Sequence, residues 1–472
     1  MRKRMRWTAA AMAAVMVCSL AGCGGGGNSS SETTAAAAAA DTGAADAGAA
    51  DTGAADAGSA DGKTEITFWH AMGGVNGEAT EALVAAFNES QDEILVKSEY
   101  QGTYDDMITK LKATMQSGNM PDVCQMYDIG TKFMSDSGYV IPVEDKFATT
   151  GFDASSVMEI ITSYYTVNGK QMSMPFNVST PMLYYNKDVF EAAGLDPDTP
   201  PTTFDEVLEY SKQIVESGAA PSGYAQAIYG WFFEQQIAGQ GKYYANNENG
   251  RADAATAVEF VENGAGLKIF ETWKNLLDSG YASNYGSTTA DTQTAFFAGQ
   301  TAMIIESTAI LKNATNSCDF EIGTGYLPKI EENEEGGVII GGASLWLMDN
   351  KDDVKSDAAW KFIEYTTTPE AQATWSMSTG YFAINPDAYE TDEMKAFIEE
   401  NPNFLTAINQ LKDTPVNGYT AGVLSGVATE SRTIFNEAME KTYDGTYTPQ
   451  EAVDYLAGKV NEAIENYNAS IQ

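Results

Sequence analysis

Between residues 66 and 127 the hydrophobic pattern of the chain alternates between the period of a strand and that of a helix. The run 66–70 (ITFWH) reads as a strand. Leu83, Val84 and Phe87 then share one helical face, and 94–100 reads as the next strand. Thr103 with Asp106 is an N-cap signal ahead of Met107, Ile108, Leu111 and Met115 at core spacing. Residues 122–127 follow as a buried strand. This β-α-β-α-β order predicts an α/β layer with a substantially parallel sheet. Further on, Thr203 and Glu206 form a capping-box pattern before Val207, Leu208, Ile214 and Val215, with Gly218 as the stop. Thr448 and Glu451, with Pro449 between them, open a last helix whose buried face is Val453, Leu456, Val460 and Ile464.

The N-terminus has a different character. Residues 1–7 (MRKRMRW) are basic, and 8–20 form an apolar core too short to span a membrane comfortably. Residues 20–23 (LAGC) look like a bacterial lipobox, which predicts a signal peptide at 1–22 and lipidation of Cys23. From 24 to 63 the chain has no bulky apolar side chain, and the ten residues from Asp41 recur almost unchanged from Asp51. No core can form there, so 23–63 reads as a lipidated cysteine followed by a flexible tether. The expected location is the extracellular face of the cytoplasmic membrane. The body of roughly 410 residues exceeds one ordinary core, so two α/β lobes are expected, with a ligand cleft between them.

Lys plus Arg number 27 against 66 Asp plus Glu, a formal charge of −39. Such a chain is a poor partner for nucleic acid. His70 is the only histidine, which excludes a His-rich metal site and most triad chemistry. No GxxxxGK[ST], HExxH or CxxC occurs. Cys124 and Cys318 are the body's cysteines, and their spacing alone leaves open whether they pair. Beyond residue 22 only Arg251 and Arg432 remain as arginines. Composition alone favours an ordinary ion pair for Arg432 among so many carboxylates, with a phosphate fork as the alternative.

Residues 174–188 (MPFNVSTPMLYYNKD) strongly resemble the family 1 solute-binding proteins of ABC importers, and most of all the subgroup that binds glycerol phosphate. Residues 66–70, 193–197 (AGLDP), 339–346 (IIGGASLW) and 378–381 (STGY) carry the same resemblance in the same order. It implies a bilobed α/β fold of the periplasmic-binding-protein type that closes over one small molecule. It also implies delivery to permease subunits, with no chemistry on the ligand, no cofactor and no metal. A monomer is expected. Carried over by resemblance, the ligand residues are Tyr104, Asp128, Ser179, Ser307, Gly342, Tyr381 and Arg432, the last contacting phosphate. Packing or turn-capping roles for Tyr104, Tyr381, Ser179 and Gly342 are the alternatives. Two positions depart from the pattern: Asp128 stands where the family has Glu, and Ile228 where it has Trp, with Trp231 as a possible stacking platform. The expected ligand is glycerol 3-phosphate or a glycerophosphodiester, with an oligosaccharide as the alternative. The expected lobes are 64–177 plus about 310–360, and about 178–309 plus 361–472.

Overall fold

The computed structural model describes residues 62–470. The expected signal peptide, Cys23 and all of the tether but its last two residues lie outside the described residues. Strands β1 (Thr64–His70), β2 (Ile94–Tyr100) and β3 (Val123–Tyr127) alternate with helices α1 (Gly74–Ser90) and α2 (Tyr104–Ser117). β1 pairs in parallel with both β2 and β3. The Thr103–Asp106 capping box is complete: the Thr103 hydroxyl accepts the Asp106 N–H at 3.2 Å and the Asp106 carboxylate accepts the Thr103 N–H at 2.9 Å. It fixes where α2 starts, and so where Tyr104 stands.

The chain continues through β4 (Val140–Ile141), β5 (Met174–Ser179) and β6 (Pro181–Asn186) to α3 (Phe204–Ser217), β7 (Tyr224–Ala225) and α4 (Gly230–Gly239). Then come α5 (Ala265–Asp278), β8 (Ala282–Ser283), β9 (Met303–Ser307), β10 (Ile322–Gly325) and β11 (Gly341–Met348). Helices α6 (Asp353–Tyr365), α7 (Pro369–Thr379), α8 (Ala428–Tyr443) and α9 (Pro449–Ser470) complete the elements used below. One sheet has the order β2-β1-β3-β11-β4, with β5 also on β11; the other runs β8-β7-β9-β6-β10. A single residue, Thr180, separates β5 in the first sheet from β6 in the second.

The expectation of a substantially parallel sheet holds for β1 to β3, and in the second sheet β7 pairs in parallel with β8 and β9; the remaining pairs are antiparallel. β11 runs antiparallel to β3, β4 and β5, and β6 runs antiparallel to β9 and β10. The reason is that β11 re-enters the first sheet from the second lobe, against the direction of β3. The lobe boundaries also shift. β10 bonds to β6, so residues 322–325 run with the second sheet, and the first is rejoined at Gly341. Helix α7 packs on α1, so residues 361–379 stay with the first lobe rather than passing to the second. Helices α8 and α9 pack against α4 and α5.

Each lobe has its own aromatic core. Phe176 and Trp375 lie 4.6 Å apart in the first, and Phe233 stacks on Phe435 at 4.8 Å in the second. Burial of each such ring contributes roughly 1.5–3 kcal/mol. At α3 the Thr203 hydroxyl accepts the Glu206 N–H at 3.2 Å, but Glu206 reaches back to the Thr202 N–H instead of Thr203. At α9 the box is reciprocal between Thr448 and Glu451. Cys124 and Cys318 are both free thiols.

Candidate ligand site

The expected ligand residues lie where strands end and chains cross between lobes. Asp128 follows the carboxyl end of β3, Ser179 ends β5 and Ser307 ends β9. In open α/β sheets this is where ligands bind. Tyr104 opens α2, and its ring stacks on Tyr127 at 4.9 Å and 8°. Its hydroxyl accepts from Asn177 Nδ2 at 3.1 Å. Asn177 Oδ1 in turn accepts from Gln125 Nε2 at 2.7 Å, and Gln125 Oε1 accepts the Ala71 N–H at 2.8 Å. A buried chain of amides therefore sets the position of one phenol. Burial pushes the Tyr381 phenol up, with the Asn177 amide pulling the other way, and Tyr381 lies flat on Trp375 at 5.9 Å and 12°.

Arg432, on α8, is buried and held by two carboxylates. Its Nε and Nη2 donate to the two Glu234 oxygens at 2.9 and 2.7 Å, and Nη2 also donates to Asp128 Oδ2 at 3.1 Å. The guanidinium lies 5.7 Å from the centre of the Tyr229 ring. Burial raises the Asp128 and Glu234 carboxyls despite the attraction of Arg432. Burial also works against the Arg432 charge, but the two carboxylates outweigh it and hold the guanidinium protonated. Nη1 makes no hydrogen bond to any described residue and is left for a further acceptor.

The other expected residues take distinct places. Ser179 is buried, and its hydroxyl makes no hydrogen bond to a described residue. Ser307 uses its hydroxyl to accept the Ala309 N–H at 3.1 Å, and its carbonyl accepts from Tyr184 at 2.7 Å. Beside it, Glu306 is buried without a cation; burial pushes its carboxyl up to about 7, while Gln293 and the Ser307 N–H pull it down. Gly342 has φ +89°, and a Cβ there would stand 1.9 Å from the Asn177 carbonyl oxygen. Close packing of β11 on β5 is thus sufficient reason for this glycine. Trp231 packs over the start of β11: a Cβ on Gly341 would lie 2.5 Å from its ring. Its indole N–H is buried without a partner. Ile228 is core, and Tyr229 rather than an indole at 228 lies beside the arginine.

Sequence reasoning missed Glu234, Tyr229, Tyr127 and Asn177. A signal for the first existed: Glu234, Gln235 and Gln236 interrupt the otherwise apolar run of α4 and are all buried. Arg251 separates from Arg432 in kind. It meets no carboxylate and donates to the backbone carbonyls of Ser163, Tyr164, Ala421 and Gly422, and burial lowers it to about 10. His70 is buried beside Phe68 and Tyr100, with Nε2 3.5 Å from a Glu81 carboxylate oxygen and Nδ1 bonded to no described residue. Among the described residues no cluster of His, Cys, Asp and Glu has the makings of a metal site, and no helix is long and apolar enough to cross a membrane.

Residues 82–406 match the family model of bacterial extracellular solute-binding proteins. The chain is 33% identical over 416 residues to the sn-glycerol-3-phosphate-binding periplasmic protein UgpB of Escherichia coli K12, covering 86% of this chain and 94% of the relative. The counterpart from Pectobacterium atrosepticum is 32% identical over 415 residues, covering 86% and 93%. Among solved structures, UgpB from Mycobacterium tuberculosis in complex with glycerophosphocholine superposes with a TM-score of 0.74 at 23% identity, over 86% of this chain and all of that one. The cyclic alpha-maltosyl-1,6-maltose binding protein of Arthrobacter globiformis gives 0.72 at 24% identity, over 86% and 100%. At these identities the two superpositions speak for the two-lobed fold alone.

Proposed function

This chain belongs to the bacterial extracellular solute-binding proteins, and from that premise we infer that it captures a glycerophosphodiester and hands it to the permease of an ABC importer. One observation carries the choice of ligand. The fork of Arg432 is committed to Glu234 and Asp128, and Nη1 alone remains for an incoming anion. The triad already holds more negative than positive charge. A phosphodiester brings one further charge; a phosphate monoester brings about −1.5 to −2 at neutral pH. Desolvating the second beside two buried carboxylates costs more than desolvating the first. Tyr104, Tyr381 and the free Ser179 hydroxyl supply neutral donors for the remaining oxygens. The relatives' names, which specify glycerol 3-phosphate binding, support the same chemical class.

The second reading, a neutral oligosaccharide, is favoured by the same two carboxylates together with the Tyr229 and Trp231 rings. Calorimetric titration with glycerophosphoglycerol, glycerol 3-phosphate and maltose separates the readings. Binding of the diester ahead of the monoester supports the inference. Heat with maltose alone overturns it in favour of a sugar.

The anchor belongs to the same proposal. Lipidation at Cys23 would keep the binding protein beside its permease at the outer face of the membrane, as a monomer on the tether of residues 24–63. Metabolic labelling with radioactive palmitate, lost in Cys23→Ala, is the expected result. Label retained in that variant would refute the anchor.

A further inference from the structure

Gln125 on β3 and Asn177 on β5 are both 0% exposed, so their amides find their partners inside the protein. A side-chain amide can be turned end for end, but a backbone N–H cannot. Ala71 supplies that fixed donor: its N–H is taken by Gln125 Oε1 at 2.8 Å. Gln125 then has only Nε2 to offer, and Asn177 meets it with Oδ1 at 2.7 Å. Asn177 is left with Nδ2, which donates to the Tyr104 hydroxyl oxygen at 3.1 Å. Each step follows from the one before, because an amide nitrogen only donates and an amide oxygen only accepts. Turning Gln125 over would set its NH2 against the Ala71 N–H. Turning Asn177 over would set two NH2 groups face to face.

The consequence falls on Tyr104. Its oxygen is engaged as an acceptor, and no described residue accepts its proton. Burial raises this half-buried phenol well above its ordinary range, and Tyr381, Asp128 and Tyr229 push the same way, so the proton stays on at neutral pH. Asp128 and Tyr229 are also neighbours of Arg432, which sets the phenol in the cleft around that arginine. Burial raises the Tyr381 phenol while the same Asn177 amide draws it down, as a donor facing a second hydroxyl oxygen does.

We propose that Gln125 and Asn177 are positioning residues that set the hydrogen-bond polarity of the cleft: they make Tyr104 an obligate donor, matched to an oxygen that carries no hydrogen, such as a non-bridging phosphate oxygen. This rests on the reading of the cleft as a phosphodiester site. Gln125→Glu tests it. Ionised, the introduced carboxyl only accepts, so Asn177 must turn its NH2 towards it and draw the Tyr104 proton back onto Oδ1. Protonated, it donates to Asn177 as the amide did, and the parent polarity returns. The readout is the Tyr104 Cζ line in NMR of the ligand-free protein with ring-labelled tyrosine, assigned by its loss in Tyr104→Phe. A pH titration of that line, beyond any the parent shows, is expected in Gln125→Glu. Affinity for glycerophosphoglycerol should fall about tenfold on the ionised side and recover on the protonated side. Lost packing alone would lower it at every pH. In the Tyr104→Phe background the pH-dependent loss should vanish. Its survival there would be plain repulsion of the anion by the new charge and would overturn the proposal, as would a Tyr104 line that follows the parent at every pH. Should Gln125→Glu not fold, the parent decides: on binding the diester its Tyr104 line moves to the side of a donated phenol, and a line that stays put overturns the proposal. A parent that does not bind the diester, with the titration in Gln125→Glu present, refutes the ligand reading and leaves the relay standing.

Discussion

The Glu234 carboxylate fills the fork of Arg432, accepting from Nε at 2.9 Å and from Nη2 at 2.7 Å across 198 residues of sequence. The arginine that the resemblance alone implied for a phosphate is therefore already the partner of an acid. Its worth to the molecule is first to neutralise two buried carboxylates.

Arg432→Ala leaves Asp128 and Glu234 buried without a cation. Removal of one partner of such a group costs on the order of 3–5 kcal/mol. Urea unfolding should show that loss in the ligand-free protein. A variant as stable as the parent would mean the triad is solvated rather than dry.

Glu234→Gln keeps the shape and removes one negative charge beside Nη1. Affinity for glycerol 3-phosphate should rise by about tenfold relative to a glycerophosphodiester, since the dianion gains most. Calorimetry on both ligands reads this directly. An equal change for the two would detach charge from specificity.

Glu306 makes stability depend on pH. Its folded pKa of about 7 lies above its ordinary value of 4.5, so the folded state binds the proton more tightly. The stabilisation is complete below pH 4.5 and is lost as pH rises through about 7, amounting to about 3 kcal/mol in all. Glu306→Gln should flatten this part of the stability profile. An unchanged slope between pH 5 and pH 8, roughly the window these values define, would assign the dependence elsewhere.

Gly342→Ala sets a Cβ against the Asn177 carbonyl at a backbone angle that L residues rarely adopt. A stability loss of about 2–4 kcal/mol is expected from strain and displacement of β5 together. Thermal unfolding checks it, and a loss below about 0.5 kcal/mol would show that β11 yields freely.

The strand–helix alternation up to Tyr127 was legible because β1, α1 and α2 repeat their buried apolar residues at their own period and α2 is capped by its own neighbours. Thr103 and Asp106 sit three residues apart, so their box is a local fact. The likeness of 174–188 and 339–346 to known binding proteins implied two lobes but assigned no strands to those stretches, which fold as β5, β6 and β11. The antiparallel entry of β11 was not legible, because strand direction depends on where the intervening 160 or so residues go. Nor was the partnership of Glu234 and Arg432, which exists only once α4 and α8 are packed. Gly342 was read for ligand approach, with strand packing as its alternative, and the Asn177 carbonyl gives that alternative a physical basis.

Thr180 is the single residue between β5 and β6, and it is fastened from one side. Its carbonyl accepts the Thr308 N–H at 3.1 Å, and Gln410 donates to its hydroxyl at 3.3 Å and to the Pro181 carbonyl at 2.8 Å. Rotation of one sheet against the other is thus referred to the Ser179 side of the joint. A pull on Ser179 acts almost on the axis and exerts little torque. Tyr127 pairs with Ala343, and Ala343 with Asn177, so the end of β3 stands about 10 Å, two strand spacings, out from β5. There the Tyr127 hydroxyl meets Thr429 of α8 at 2.9 Å. Leverage over the joint is greater at that rim than beside Ser179, so a contact there does more mechanical work for a given angle.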